Sequence, residues 1–161
     1  MDSNLIALKL FLDELRVSSD IETIDDRKRV QKAIYLGQAA GADLGYRFGW
    51  YLMGPYSTSL TNDYFRLADA FLSGDKNYEG KVLTKTYRTA LQKVRKILEV
   101  PQNVALQVED WLELVSSIHF LRHIRKQTRD KALHTIKAEK PRLYRYANEA
   151  EKKLAAAKLL S

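Results

Sequence analysis

Cysteine is absent from this chain, and its absence excludes several kinds of chemistry at once. Disulfide bonds, thiolate nucleophiles and cysteine-based zinc sites all need the missing thiol. Proline and glycine are also sparse, at 3 and 7 of 161 residues, and no linker-like stretch rich in either divides the chain. The sequence therefore predicts a single helical domain over residues 1–161, and the lack of cysteine suits a reducing compartment.

Long hydrophobic runs are missing as well. No segment approaches the roughly 20 apolar residues that a bilayer-spanning helix needs. The first amphipathic stretch places Asp13, Glu14 and Arg16 beside its leucines, which is unlike a secretory signal peptide. We therefore expect a cytoplasmic protein with no membrane partner, whose 45% hydrophobic residues are enough to build one core.

Positive charge is concentrated in the second half of the chain. Residues 1–80 hold 9 Lys and Arg against 12 Asp and Glu, a difference of −3, whereas residues 81–161 hold 18 against 8, a difference of +10. Together these give the net charge of +7. Such a bias can attract nucleic acid, an anionic membrane or an acidic protein, and by itself it does not choose among them.

Hydrophobic periodicity predicts a mainly α (α+β) fold, a compact multi-helix domain with one small β element. A period of two over 46–53 predicts a strand that ends at Gly54-Pro55, and a weaker pattern suggests a second strand at 77–83. With the helix between them, these strands would allow a winged-helix-like arrangement. Helices are predicted at about 4–17, 24–40, 58–72, 84–99, 101–126, 129–138 and 141–159.

Groups able to run catalysis are scarce. His119 and His123 are four residues apart, a spacing used for zinc, but Phe120 stands where a metalloprotease helix carries its glutamate and no nearby carboxylate completes a ligand set. Ser116, Ser117 and His119 do not indicate a nucleophile, because adjacent helical residues diverge by about 100° and no strained elbow or oxyanion hole is suggested by the sequence. We therefore expect no metal, no cofactor and no catalytic residue, with His119 packed and hydrogen-bonded and His123 part of a basic helix end.

The basic second half suggests nucleic-acid binding as an alternative function, with ordinary solvated helix faces as the simpler explanation. The helix at 58–72 would be the recognition element of a winged helix, but it carries Asp63 and Asp69 with Arg66 as its only cation. Acidic residues facing phosphates weaken binding, which argues against this arrangement. The candidate phosphate-binding residues are Lys85, Arg88, Lys93, Arg95, Arg122, Arg125 and Lys126.

Two segments carry a family resemblance. Residues 27–36 (RKRVQKAIYL) and 48–57 (FGWYLMGPYS) resemble the "KLQKLLYL … F.WY.YGPYS" signature of the YwgA-like uncharacterised bacterial and archaeal proteins, and the Panacea domain of antitoxins shares that signature. Residues 112–121 (LELVSSIHFL) and 139–141 (EKP) are similar to further segments of the YwgA-like group. The resemblance implies a mainly helical domain without a known catalytic role and, for Panacea domains, an antitoxin that neutralises a toxin by direct contact.

The residues of the GPYS segment also suggest where such a contact would lie. Gly54 and Pro55 would fix a rigid turn, and aromatic residues on rigid backbone are common anchors of protein interfaces. We expect Phe48 and Trp50 in the core. The predicted protein-binding site is Tyr51, Met53, Pro55 and Tyr56, in a non-enzymatic domain that is antitoxin-like or a regulatory subunit of a toxin or phage-defence module.

Overall fold

The structure is a computed structural model that describes residues 1–160. Over that range it contains eight α-helices, one π-helical segment and a two-stranded antiparallel hairpin, which confirms the predicted mainly helical fold. The elements in chain order are α1 (Ser3–Leu15), α2 (Ile24–Ala39), β1 (Gly49–Tyr51), β2 (Gly54–Tyr56), α3 (Thr58–Leu72), α4 (Lys85–Leu98), α5 (Val108–His119), the π-helical segment (Phe120–Ile124), α6 (Arg129–Glu139), α7 (Pro141–Tyr144) and α8 (Ala147–Ala156).

Helix α5 forms the centre of the core. Every residue from Trp111 to Leu121 is buried, so this stretch has no solvent-facing side. Helix α2 and helix α8 pack against α5, and α1 packs against α3 and α4. The hairpin lies on α2 and α5, and this position fixes the site described below.

Capping side chains set the starts of most helices. Thr23 begins α2 with a complete capping box, in which its hydroxyl accepts from the Asp26 amide and the Asp26 carboxylate accepts from the Thr23 amide. Ser57 caps α3, and Thr84 and Thr128 cap α4 and α6. The cap of α1 is Asp2, whose side chain accepts from the Leu5 amide.

The predicted strand over 46–53 is wrong in its extent. Only residues 49–51 are in β1, Leu52 and Met53 form the turn, and Gly54-Pro55 begins β2 instead of ending the strand. Pro55 pairs with Trp50 in this ladder. Both strands of a two-stranded sheet are edges, so a proline without an N–H is tolerated there.

The predicted strand at 77–83 is also wrong. The chain turns there, with the Glu79 amide donating to the Lys76 carbonyl and Gly80 at φ +75°, and then runs on unpaired. Val82 is 78% exposed, so no sheet face is buried at this point. The hairpin that would form the wing after α3 in a winged helix is therefore not present within residues 1–160.

The long predicted helices of the second half are shorter or divided in the structure. Helix α5 begins at Val108 instead of Pro101, because residues 101–107 make a turn and an irregular stretch in which Val104 is buried. The predicted helix over 141–159 breaks at residues 145–146 into α7 and α8. No helix within residues 1–160 is long and apolar enough to span a bilayer.

Candidate functional site

Two side chains of α2 hold the hairpin from one side. The Gln31 side chain donates to the Ser57 carbonyl and accepts from the Ser57 amide, both at 2.9 Å. The Lys32 ammonium donates to the Pro55 carbonyl at 2.5 Å. The two sequence segments that carry the family resemblance are thus joined directly, because the first supplies the polar groups that fix the backbone of the second.

The other side of the hairpin is held by residues that lie 70 to 89 positions further along the chain. The Lys140 ammonium donates to the Leu52 carbonyl at 2.9 Å. The Trp50 indole stacks on Phe120, with ring centroids 5.7 Å apart, and its N–H donates to Glu139 at 3.2 Å. The turn of a very short hairpin is therefore fixed by tertiary contacts, which a two-stranded sheet needs because it is marginal alone.

A pocket of about 370 Å³ opens between α2 and the hairpin turn. Apolar side chains form much of its wall, and three of them are strongly exposed: Ile24 at 63%, Leu52 at 92% and Tyr51 at 52%. The residues that line it are Ile24, Arg27, Lys28, Gln31, Lys32, Tyr51, Leu52, Met53, Gly54, Tyr56 and Tyr64. We call this the hairpin pocket.

A buried ionic network lies directly behind the hairpin pocket. Glu113 accepts from Lys28 at 2.6 Å and from Lys140 at 2.7 Å, and Asp110 accepts from Lys28 at 2.8 Å and from Arg142 at 2.9 Å. Burial alone would lower the pKa of Lys28, but its hydrogen bonds to the two carboxylates outweigh this effect and raise the pKa. Burial also opposes ionisation of Asp110, whose pKa is nevertheless lowered by Lys28 and Arg142.

Lys32 differs from the other lysines of this network because it has no carboxylate partner within residues 1–160. Its side chain is almost fully buried, with the residue 2% exposed. Burial lowers the pKa of Lys32 to about 7, since Glu113 offsets the effect only in part while Lys28 and Lys140 add to it. Lys32 is therefore an ammonium close to its titration point beside the pocket.

The predicted protein-binding residues take different positions in this structure. Tyr51 and Met53 are exposed, as expected, and Tyr51 packs edge to face against Tyr56 with centroids 5.2 Å apart. Tyr56 is only half-buried, and its hydroxyl accepts from Thr61. Pro55 does not fit the predicted contact site, because it is buried beneath the exposed residues and is not part of the surface.

Phe48 and Trp50 were expected in the core, but both are only half-buried and pack against its edge. A short hairpin covering a helical core buries one side of its aromatic residues and leaves the other side at the surface.

The seven predicted phosphate-binding residues do not form one group. Arg95 is half-buried and bonds to Glu14 through the carbonyl and the carboxylate, so it is neutralised within the fold. Lys93 lines a groove of about 550 Å³ between α4 and α8. Lys85 and Arg88 are exposed on α4, the same helix as Lys93. Arg122, Arg125 and Lys126 follow the C-terminal end of α5, in and just after the π-helical segment.

His119 is packed and hydrogen-bonded, as the sequence predicts. His119 Nδ1 and the Tyr35 hydroxyl are hydrogen-bonded at 2.6 Å, and the His119 ring stacks on His123 at 4.6 Å. Burial, together with His123, lowers the pKa of His119 to about 4. His119 and Asp43 line one pocket of about 280 Å³, but they make no ion pair, and Asp43 accepts from the Gly45 amide instead. Residues 1–160 contain no group of three or more His, Asp or Glu side chains suited to hold a metal ion.

Sequence reasoning missed the residues that make the hairpin pocket distinctive. The period of two over 46–53 predicts Leu52 on the same strand face as Phe48 and Trp50, whereas it is the most exposed large hydrophobic residue of the described chain. Lys32 and Arg27 enter the sequence analysis only as members of the segment 27–36. The available signal was the run Tyr51, Leu52, Met53 directly before Gly54, because three large apolar residues at a chain reversal cannot all face inward.

Comparison with known proteins adds no relative to this description. No family model matches the chain, and neither the search of curated proteins nor that of solved structures found a match.

Proposed function

We propose that this domain is a non-enzymatic protein-binding module and that the hairpin pocket with its rim is the contact surface. One observation carries the proposal. Of the nine large hydrophobic residues that are exposed within residues 1–160, five surround this pocket. They are Ile24, Tyr51, Leu52, Met53 and Phe65, the last through its contacts with Arg27 and Tyr64.

The rigidity of this surface supports the same function. A cluster of apolar side chains on fixed backbone needs little further ordering when a partner covers it, and pre-ordered surfaces bind more tightly for the same area. Exposed apolar clusters on soluble domains commonly mark interaction sites. Leu52 at the tip would be the central anchor, with Tyr51 and Met53 beside it.

The resemblance to Panacea antitoxins supports a specific role. In this proposal the domain is antitoxin-like, or a regulatory subunit of a toxin or phage-defence module, and it controls an effector by covering part of its surface. The partner would be encoded by a neighbouring gene, as is usual for two proteins that must be produced together.

The test is co-expression with the products of neighbouring genes. We expect Leu52→Asp to weaken capture of the partner by tenfold or more, because it removes a leucine that the partner would bury, worth about 1.5–3 kcal/mol, and places a charge in the interface. The same variant should lose rescue of cells from the effector. Its own stability should change little, since Leu52 is 92% exposed.

Val82→Asp is the matched control for that experiment. Val82 is 78% exposed and lies away from the hairpin pocket, so its replacement adds the same charge without touching the proposed surface. If Leu52→Asp and Val82→Asp both keep capture and rescue, the hairpin pocket is not the contact surface.

A second candidate function is nucleic-acid binding, and the groove between α4 and α8 favours it. Lys93 and Lys96 from α4 face Lys153 and Lys158 from the end of the chain across this groove. We expect duplex DNA to bind there with a log–log salt dependence of about 0.9 per neutralised phosphate, and Lys93→Glu to reduce that slope by about 1. A binding constant that does not change with salt concentration, or no detectable binding at low ionic strength, would rule out this second function.

A further inference from the structure

We infer that the hairpin pocket receives an acidic peptide segment of the protein partner, in which a carboxylate stands beside a large apolar side chain. This inference rests on the proposed protein-binding function and specifies the chemistry that the surface recognises.

Charge complementarity is the first argument. Of the eleven residues that line the pocket, three are basic, namely Arg27, Lys28 and Lys32, and none is acidic. The carboxylates that neutralise Lys28 come from α5 and do not line the pocket. Since Lys28 is paired, the positive charge that the wall presents without a countercharge is that of Arg27 and Lys32.

The second argument is the incomplete coordination of Lys32. An ammonium has three N–H donors, and in the described chain this one has a single acceptor, the Pro55 carbonyl. Glu113, the carboxylate that interacts electrostatically with Lys32, is already paired with Lys28 and Lys140. A buried cation that lacks a counter-ion is unfavourable, so a carboxylate entering the pocket would complete its coordination.

Arg27 extends the positive charge toward the rim. Its guanidinium lies over the Phe65 ring at 5.4 Å and donates to the carbonyls of Ile21 and Glu22. No carboxylate within residues 1–160 pairs with it. Arg27 thus combines an apolar surface with an uncompensated charge at the place where a bound segment would leave the pocket.

The apolar walls favour a peptide over a nucleic acid. Ile24, Leu52 and Met53 surround the entrance, and a phosphate with its solvated sugar would leave these side chains uncovered. A leucine-sized side chain next to a carboxylate covers them and reaches the lysines in the same step. The acidic group would give specificity and the apolar group most of the buried area.

Binding of a carboxylate should be linked to protonation of Lys32. The charges that act on its ammonium are Glu113, Lys28 and Lys140. The other charged and titratable groups of the pocket wall and of the network behind it are Arg27 on α2, Tyr51 and Tyr56 on the hairpin, Tyr64 on α3, Asp110 on α5 and Arg142 on α7. Lys28 stays protonated because its pKa is raised, and Asp110 stays ionised because its pKa is lowered. The pKa of Lys32 is about 7 in the free protein, so above that pH the Lys32 amine must take up a proton when the carboxylate binds. The dissociation constant should then rise by up to about tenfold per pH unit.

The experiment uses the full ¹⁵N-labelled chain and two dipeptides that differ only in charge. Acetyl-Leu-Asp-amide and acetyl-Leu-Asn-amide are titrated at about pH 6.5 and about pH 8.5 and followed by NMR. We expect the aspartyl dipeptide to shift the resonances of residues 24–32 and 51–56, and to bind at least about fivefold more tightly than the asparaginyl dipeptide at the lower pH. Its advantage should shrink at the higher pH. Lys32→Met should remove the preference, whereas Lys93→Met, with the same charge loss in the other groove, should keep it.

Equal binding of the two dipeptides by the unaltered chain would overturn the inference, as would a preference that survives Lys32→Met. Binding of neither dipeptide at the pocket, or displacement of the pocket resonances by a short oligonucleotide instead, would overturn it too. These outcomes are distinct from failure of the proposed function, because loss of partner capture on Leu52→Asp can stand while the acidic preference fails.

Discussion

Replacing Glu113 by glutamine should destabilise the protein by about 3–5 kcal/mol, the range measured when one member of a buried ion pair is removed. Glu113 is 7% exposed and lies between the ammonium groups of Lys28 and Lys140 at 2.6 and 2.7 Å. The glutamine amide keeps the shape but leaves both cations short of countercharge, with Lys32 nearby adding to the repulsion. The loss should appear as a lower free energy of unfolding in urea denaturation.

Asp13→Asn provides the control for this prediction. Asp13 also pairs with a lysine, Lys9, but it is 53% exposed and the pair joins residues four apart on α1. Such a surface pair contributes about 0.3–0.5 kcal/mol. If Glu113→Gln costs no more than Asp13→Asn, the network behind the hairpin does not hold it. A double variant with Lys140→Met should lose less than the sum of the two single losses, because each removes a charge that the other needs.

Replacing Gly54 by alanine should cost about 2–5 kcal/mol, again measured by urea denaturation. The backbone at Gly54 has φ +90°, which costs about 1–2 kcal/mol for a residue with a side chain. In addition, the new Cβ would lie 2.5 Å from the Ser117 hydroxyl oxygen, in a site with no room, and such overpacking costs about 1–3 kcal/mol.

Gly74→Ala separates the two parts of that effect. Gly74 has φ +78°, but a Cβ there would meet nothing within 4 Å, so only the backbone contribution of about 1–2 kcal/mol should be lost. Adding Ser117→Ala to Gly54→Ala removes the clashing oxygen and should bring the cost down to that of Gly74→Ala. Equal losses for the two single glycine variants would show that the close approach to α5 is not important.

Local sequence signals were enough to predict most helices of this fold. Helices α2, α3, α4 and α6 begin within one residue of their predicted starts, because a cap acts on amides two or three positions away and is visible in a short window. The amphipathic pattern of α4 likewise predicted its buried face, including Leu91 and Val94.

The hairpin and the pocket could not be predicted in the same way. Its turn is Leu52-Met53, which lacks the Asn-Gly or Asp-Gly pair that marks a two-residue reversal, so the period-two pattern was extended through it. The turn is fixed by Lys32 and Lys140, which are 23 and 88 positions away from the carbonyls they hold. No local pattern reports contacts across such separations, and the same holds for the pairing of Lys28 with Glu113.

The hydrogen bond from Lys140 to the Leu52 carbonyl also affects when the proposed contact surface forms during synthesis. The ribosome releases the hairpin well before α5 and α6, so the nascent chain carries Tyr51, Leu52 and Met53 before the residues that fix their turn have been added. A two-stranded hairpin alone is marginal in water. On the function proposed above, a partner would therefore engage this surface only after Lys140 has emerged.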